Sequence, residues 1–121
     1  MTTTLTKTYR FKVGDICYAT YSYASQHNYF LEVVKRTDKT VTFRQIECAM
    51  SSHDGYGQNG YNVPATDNGN YVYATDYNGE PVEYKNRRIK VLRDGNEVAS
   101  IGEYIGYVYE YDGKPLSFYS D

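Results

Sequence analysis

Apolar side chains in this chain of 121 residues never keep helical spacing over a segment long enough for a helix. Instead, short runs of β-branched and aromatic residues are separated by turn-forming residues, a pattern typical of strands joined by tight turns. Asp94-Gly95 and Asp112-Gly113 favour hairpin turns, because Asp and Gly tolerate positive φ angles. The sequence therefore predicts an all-β fold, with strands over 16–23, 29–35, 40–48, 71–77, 88–92, 98–101 and 104–111.

Tyrosine supplies most of the aromatic surface, since the chain contains 16 Tyr and 4 Phe but no Trp. Disorder normally accompanies few aromatic residues and a high net charge, whereas the net charge here is −2. Tyr buries a large ring and keeps a polar tip, so it can cover a small core whose edge is wet. We expect a small, strongly bent antiparallel sheet or a partly open SH3-like barrel of about six to eight strands.

The chain is long enough for one domain, which we place at 13–121 after a flexible N-terminal arm at 1–12. Residues 24–28 are polar and predict a short loop between the first two strands. Over 51–70 the pattern gives way to Gly, Asn, Asp and Ser, which predicts one long mobile loop. The loop lies in an acidic part of the chain, because residues 51–83 carry Asp and Glu but no Lys or Arg.

Composition argues against an enzyme, a cofactor or a metal. His27, His53, Cys17 and Cys48 do not have zinc-site spacing. Residues 55–60 match G-x-G-x-x-G, but the Pro- and Asn-containing segment after them cannot open the helix that a dinucleotide site needs. No apolar run suits a membrane helix or a signal peptide, so we expect two reduced thiols in a cytoplasm.

The segment between the first two strands combines aromatic rings with hydrogen-bonding tips, as a binding surface would. Such a surface suits base stacking or a protein hot spot, in which Tyr is enriched. An ordinary aromatic strand with a polar loop is the other interpretation. The candidate partner-binding residues are Tyr21, Tyr23, Gln26, His27, Asn28 and Tyr29.

A basic run between 85 and 93 contains no acidic residue and could contact phosphates. The other interpretation is a solvated strand face whose charges protect a sheet edge from aggregation. The candidate nucleic-acid contacts in this run are Lys85, Arg87, Arg88 and Lys90.

Several short motifs occur together: Gly-Asp-Ile at 14–16, Val-Val-Lys-Arg at 33–36, Lys-Thr-Val-Thr at 39–42 and Asp-Gly-Lys-Pro at 112–115. As a set they resemble a family of small proteins of phages and mobile elements, one without an established biochemical role. The first loop of that family reads Trp-Gly-Tyr-Asp-Gln-Thr-Asn, and 21–28 lack its Trp and Asp. The resemblance implies that the protein is encoded by a phage or a mobile element and that its fold is rich in β-strands.

Two functions follow as hypotheses. The first is a non-enzymatic phage or mobile-element protein that binds and occludes a protein partner, such as a component of host defence. The alternative is a nucleic-acid-binding module in which Tyr21, Tyr23 and Tyr29 stack on bases while the basic run holds phosphates. The salt dependence of binding distinguishes the two hypotheses, because affinity for phosphates falls steeply as the salt concentration rises.

Overall fold

The computed structural model describes residues 8–23, 25–53 and 59–119. Within these ranges the protein consists of antiparallel strands without a helix, so the all-β prediction is confirmed, and no helix there could span a membrane. The strands are β1 (Ile16–Tyr23), β2 (Ser25–Arg36), β3 (Thr40–Ile46), β4 (Cys48–His53), β5 (Asn59–Pro64), β6 (Thr66–Asp67), β7 (Asn70–Tyr71), β8 (Glu83–Arg88), β9 (Lys90–Val91), β10 (Glu97–Val98), β11 (Tyr109–Glu110) and β12 (Leu116–Tyr119).

The long strand β2 organises an antiparallel sheet of eight strands. One edge of β2 pairs with β1. The other edge of β2 pairs with β3 along most of the length of β2, and with β12 at Gln26. The sheet continues through β11 beside β1, β8 beside β3, and β5 and β4 beyond β12. The sheet is not closed into a barrel. Of the two predicted architectures, an antiparallel sheet and a partly open barrel, the structure shows the open sheet.

Alternation along the central strands builds a core on one face of the sheet. The ring centroids of Phe11 and Phe43 lie 5.4 Å apart, edge to face, at its centre. The opposite face, here called the outer face, is also covered, because Phe30 and Ile46 are fully buried there. The buried core residues are Phe11, Cys17, Ala19, Leu31, Val33, Val41, Phe43, Ala99, Ile101 and Val108.

The predicted N-terminal arm at 1–12 is wrong where the structure describes it. Phe11 is buried in the core, and its backbone N–H donates to Glu97 Oε1 at 2.9 Å. The N–H of Tyr9 donates to Asn96 Oδ1 at 2.7 Å. Burial of the Phe11 ring offsets the entropy lost by ordering this segment. The first seven residues lie outside the described part of the chain.

The long loop predicted over 51–70 is also wrong for its described residues. There β4 and β5 form a hairpin, β5 pairs with β12, and β6 pairs with β7. Asn68 and Gly69 have φ angles of 52° and 84°, which suit the tight turn between β6 and β7. Residues rich in Gly and Asn therefore make turns between short strands here. Residues 54–58 lie outside the described ranges.

The two Asp-Gly dipeptides have different outcomes. Asp94-Gly95 joins β9 to β10, and Gly95 has a φ of 87°, so this hairpin prediction is confirmed. Asp112-Gly113 joins β11 to β12, but these strands pair with other strands and not with each other. The second hairpin prediction is therefore wrong. The turn forms, but its two strands diverge to different neighbours.

Candidate functional site

The predicted partner site at 21–29 folds as the end of the β1–β2 hairpin. Residues 25–28 belong to β2, so the predicted polar loop is wrong, because pairing with β1 satisfies their backbone groups. Tyr21 faces His27 across the two strands, with ring centroids 6.1 Å apart. His27 is exposed, and its Nε2 lies 2.8 Å from Ser25 Oγ.

The amides of Asn28 and Gln26 bind other parts of the same chain. Asn28 is only 7% exposed, and its Oδ1 accepts a hydrogen bond from Thr20 Oγ1 at 3.0 Å. Its Nδ2 donates to the Ser117 carbonyl at 2.8 Å and to Asn62 Oδ1 at 3.1 Å. Gln26 Nε2 donates to the same Ser117 carbonyl at 2.8 Å. Both amides therefore hold β12 against β2.

The other predicted residues of the hairpin divide between core and surface. Tyr29 is partly buried and packs against the core. The side chain of Tyr23 lies outside the described residues, as does the whole of Ala24. Tyr21 and His27 remain accessible, so the predicted hairpin site stays a prediction for these two.

The predicted nucleic-acid contacts are brought together in one groove, here called the basic groove. It runs between the β8–β9 segment and the chain at 99–107. Lys85, Arg87 and Arg88 line a cavity of about 510 Å³ with Asn86, Ser100, Gly102 and Glu103. An adjoining cavity of about 310 Å³ is lined by Arg88, Ile89, Lys90, Ala99, Ser100 and Tyr107.

Two cations of the groove lie over aromatic rings. The Arg87 guanidinium carbon is 5.8 Å from the ring centroid of Tyr84, and Arg87 Nε is buried without a hydrogen-bond partner in the part of the chain that is described. Lys90 Nζ lies 5.4 Å from the ring centroid of Tyr107 and donates to its hydroxyl at 3.0 Å. This hydrogen bond raises the pKa of Lys90, so the amine stays charged at neutral pH.

The outer face carries a tyrosine cluster that the sequence did not predict as a site. The Tyr18 ring centroid lies 6.0 Å from that of Tyr109 and 6.4 Å from that of Tyr111. Tyr111 in turn packs edge-on against the buried Phe30 ring at 5.1 Å. We call this surface the tyrosine strip, and it consists of Tyr18, Tyr71, Tyr73, Tyr109 and Tyr111.

Charged side chains hold one end of the tyrosine strip in place. The Tyr73 hydroxyl donates to Glu32 Oε1 at 2.5 Å, and this hydrogen bond raises the pKa of Tyr73. The Arg44 guanidinium carbon lies 5.3 Å from the Tyr73 ring centroid, and Arg44 Nη2 is 2.8 Å from Glu83 Oε2. A cation over the ring and a carboxylate at the hydroxyl therefore fix the orientation of this side chain.

Two tyrosines of the strip are open to solvent, whereas Tyr18 and Tyr111 are partly buried. Tyr109 is 44% exposed and Tyr71 is 39% exposed. The Tyr111 hydroxyl is buried and has no hydrogen-bond partner among the described residues. Burial, together with the nearby charges of Asp112 and Tyr71, raises the pKa of Tyr111, so its hydroxyl stays protonated as a donor.

Part of the signal for the strip is present in the sequence. Alternation predicts that Tyr71 and Tyr73 share a face, and the same spacing relates Tyr109 to Tyr111. The sequence does not reveal that β11 lies beside β1, which places Tyr109 opposite Tyr18. Strand order was therefore the missing information.

Among the described residues, neither an activated thiol nor a metal-binding cluster is present. Burial raises the pKa of Cys17 to about 12. Cys48 is an exposed residue, but its sulfur lies against the Asn28 carbonyl, and desolvation there raises the pKa of this thiol to about 11, so neither thiol is an activated nucleophile at neutral pH. Within the described residues, no group of three or more His, Cys, Asp or Glu side chains is placed to hold a metal ion. The end of the G-x-G-x-x-G match, Asn59-Gly60, belongs to β5, whereas 54–58 lie outside the described residues.

Comparison with known proteins gives no match of any kind: no family model matches the chain, and no curated protein or solved structure does so either.

Proposed function

We propose that the protein is a non-enzymatic binding protein that occludes a protein partner through the tyrosine strip. The observation that carries this proposal is the set of tyrosines on the outer face, in which Tyr18 packs against Tyr109 and Tyr111 while Tyr71 and Tyr109 are exposed. Tyr is enriched at protein hot spots, because it offers a large rigid ring and a hydroxyl at low entropic cost. Clustered rings that are left exposed promote unwanted association, so a partner surface is a reason to keep them.

The chemistry around the strip supports a protein partner over nucleic acid. Glu32 accepts a hydrogen bond from the Tyr73 hydroxyl, and Asp112 lies close enough to Tyr111 to raise its pKa. These carboxylates repel phosphates and favour a partner with Lys or Arg around an apolar centre. The Tyr111 hydroxyl is buried in the free protein, so it can donate to a carbonyl of such a partner only where binding exposes it.

The resemblance to proteins of phages and mobile elements supplies a setting for this proposal. A small protein from such an element acts in the cytoplasm of a bacterial host, where a component of host defence is a partner worth blocking. Blocking needs only a surface that excludes other contacts. The high pKa values of both thiols support such a role without covalent chemistry.

Site-specific photo-crosslinking in bacterial cells tests the proposal. A photo-reactive phenylalanine analogue would replace Tyr109 in one variant and Tyr71 in a second. We expect both variants to form a covalent adduct with the same protein. Tyr77 is the matched control, because it is fully exposed but lies in the turn at 76–79.

The control position decides the outcome. An adduct of equal yield from Tyr77 would mean that any exposed aromatic position reacts, and it would overturn the proposal. A fourth variant, with the photo-reactive residue at His27, examines the hairpin. Adducts from His27 alone would place the partner at the hairpin and refute the strip as the interface.

A further inference from the structure

We infer a second binding site that is independent of the tyrosine strip: the basic groove binds the phosphodiester backbone of a single-stranded nucleic acid and takes up one of its bases. The inference rests on three features of the groove. These are the spacing of its cations, a guanidinium on its inner wall whose Nε has no acceptor among the described residues, and the apolar cavity next to them.

The cations follow the direction of the groove. Arg88 and Lys90 are exposed and lie two residues apart in extended chain, so their Cα atoms are separated by roughly 6–7 Å. Successive phosphates of an extended strand can therefore meet successive cations. Lys85 adds a further charge at the start of the groove.

Arg87 supplies the inner wall. A register shift between β3 and β8 lies next to it, and there Asn86 takes a φ of 53° and its N–H donates to Thr42 Oγ1 at 3.1 Å. Such irregularities redirect side chains out of the regular alternation. Arg87 is held over Tyr84, and its buried Nε has no acceptor within the described chain. A phosphate in the cavity that Arg87 lines can accept from this guanidinium.

The adjoining cavity has the chemistry to hold a base. Its floor is apolar, formed by Ile89 and Ala99, and the Tyr107 ring stands beside it. The hydrogen bond from Lys90 orients that ring. Bases stack on aromatic rings with little regard to sequence, but only when they are not already stacked in a duplex. A cationic cavity beside an apolar one thus fits an unpaired nucleotide better than it fits the carboxylates of an acidic peptide.

Glu103 opposes this role and provides a test of it. Its carboxylate lies on the wall of the cavity that Arg87 and Arg88 line, so it repels a bound phosphate. Glu103→Gln removes that repulsion without adding a cation. We therefore expect this variant to bind nucleic acid more tightly than the parent protein.

Fluorescence anisotropy with a labelled oligothymidylate of about ten nucleotides, a length in the range of single-strand sites, tests the inference. We expect the parent to bind, with a slope of log K against log salt near −2 for about three phosphate contacts. The double variant Arg88→Gln/Lys90→Gln should reduce the slope by about 1.4 and the affinity about tenfold or more. Lys35→Gln/Lys114→Gln makes the same charge change away from the groove and should leave both nearly unchanged.

A pair of Tyr107 variants separates stacking from charge. Tyr107→Phe keeps the ring and should bind nearly as the parent does, whereas Tyr107→Leu should lose about fivefold or more. The inference is overturned if the parent does not bind the oligonucleotide at low salt, or if the control double variant loses as much as the groove variant. It is also overturned if duplex DNA or polyglutamate binds the groove more tightly than the single strand.

Discussion

Both faces of β2 are covered, but with different chemistry. Leu31 and Val33 point into a core of aliphatic and phenylalanine side chains. Phe30 and Glu32 point to the outer face, where they meet tyrosine rings and a tyrosine hydroxyl. The core face excludes water, whereas the outer face keeps polar tips at its surface. We therefore assign most of the stability to the core face and recognition to the outer face.

The largest expected effect on stability comes from a substitution that disrupts the core face. Phe43→Ala removes a fully buried ring that packs on Phe11, and it should lower the free energy of unfolding by about 3–5 kcal/mol. Urea denaturation followed by circular dichroism measures this change. Tyr109→Ser, on the outer face, is the control and should cost about 1 kcal/mol or less. Equal losses in the two variants would contradict the division between the faces.

The second prediction concerns a polar group that holds the sheet together. Asn28→Ala leaves the groups that Asn28 bonds without their partner, and it should cost about 2–3 kcal/mol. Gln26→Ala removes a more exposed amide from the same carbonyl and should cost about 1 kcal/mol or less. Hydrogen exchange of β12 should rise more in the first variant. The prediction fails if both variants are equally stable.

The sequence was sufficient to predict the fold class, because alternation and turn residues are local signals. The Asp94-Gly95 hairpin and the strand that begins at Ile16 needed nothing more. Burial of Phe11 was missed, because the residues it contacts are distant in the chain: Phe43 is 32 residues away and Glu97 is 86 residues away. The hairpin at β4–β5 was missed for a related reason: its stability depends in part on pairing between β5 and β12.

The candidate sites show the same limit. The basic groove was indicated by the run at 85–93, because neighbouring residues of one extended segment stay together. The tyrosine strip joins β1, β7 and β11 with the bridge at Tyr73, so it exists only once the strand order is known. Asn28 was predicted to contact a partner, yet it bonds to Asn62 and Ser117, whose positions the sequence does not disclose.

A smaller effect, dependent on pH, is expected at the edge of the core face, where Glu97 binds Arg36 at 2.7 Å. Burial alone would raise the pKa of Glu97, but hydrogen bonds from Arg36 and from the N–H of Phe11 outweigh it and hold this pKa below its ordinary value of 4.5. A carboxyl with a lowered pKa stabilises the fold above its unfolded-state pKa, and that stability is lost as pH falls through the folded-state pKa.

The parent should therefore lose stability below about pH 4.5. Glu97→Gln should be less stable than the parent at neutral pH and should show a flatter decline in acid. Urea denaturation at a series of pH values measures both changes. Glu80→Gln, at an exposed position, is the control and should keep the slope of the parent. If Glu97→Gln also keeps that slope, the ion pair does not cause the acid sensitivity.

The smallest expected effects distinguish two hydroxyls of the outer face. Tyr73→Phe removes the donor to Glu32 and should cost about 1 kcal/mol. Tyr111→Phe removes a buried hydroxyl that no described residue bonds, so it should leave stability unchanged or raise it slightly. Each variant differs from the parent by the loss of one hydroxyl oxygen from a tyrosine ring, and thermal unfolding compares the stabilities of the two variants directly.

The Tyr111 result also bears on the proposed interface. This hydroxyl has no hydrogen-bond partner among the described residues, and a protein partner whose binding exposes it would supply the missing acceptor. Tyr111→Phe should then weaken capture of the crosslinked partner while the variant remains as stable as the parent. If the variant instead binds as tightly as the parent, the hydroxyl does not reach the partner, and the interface is restricted to the exposed rings of Tyr71 and Tyr109.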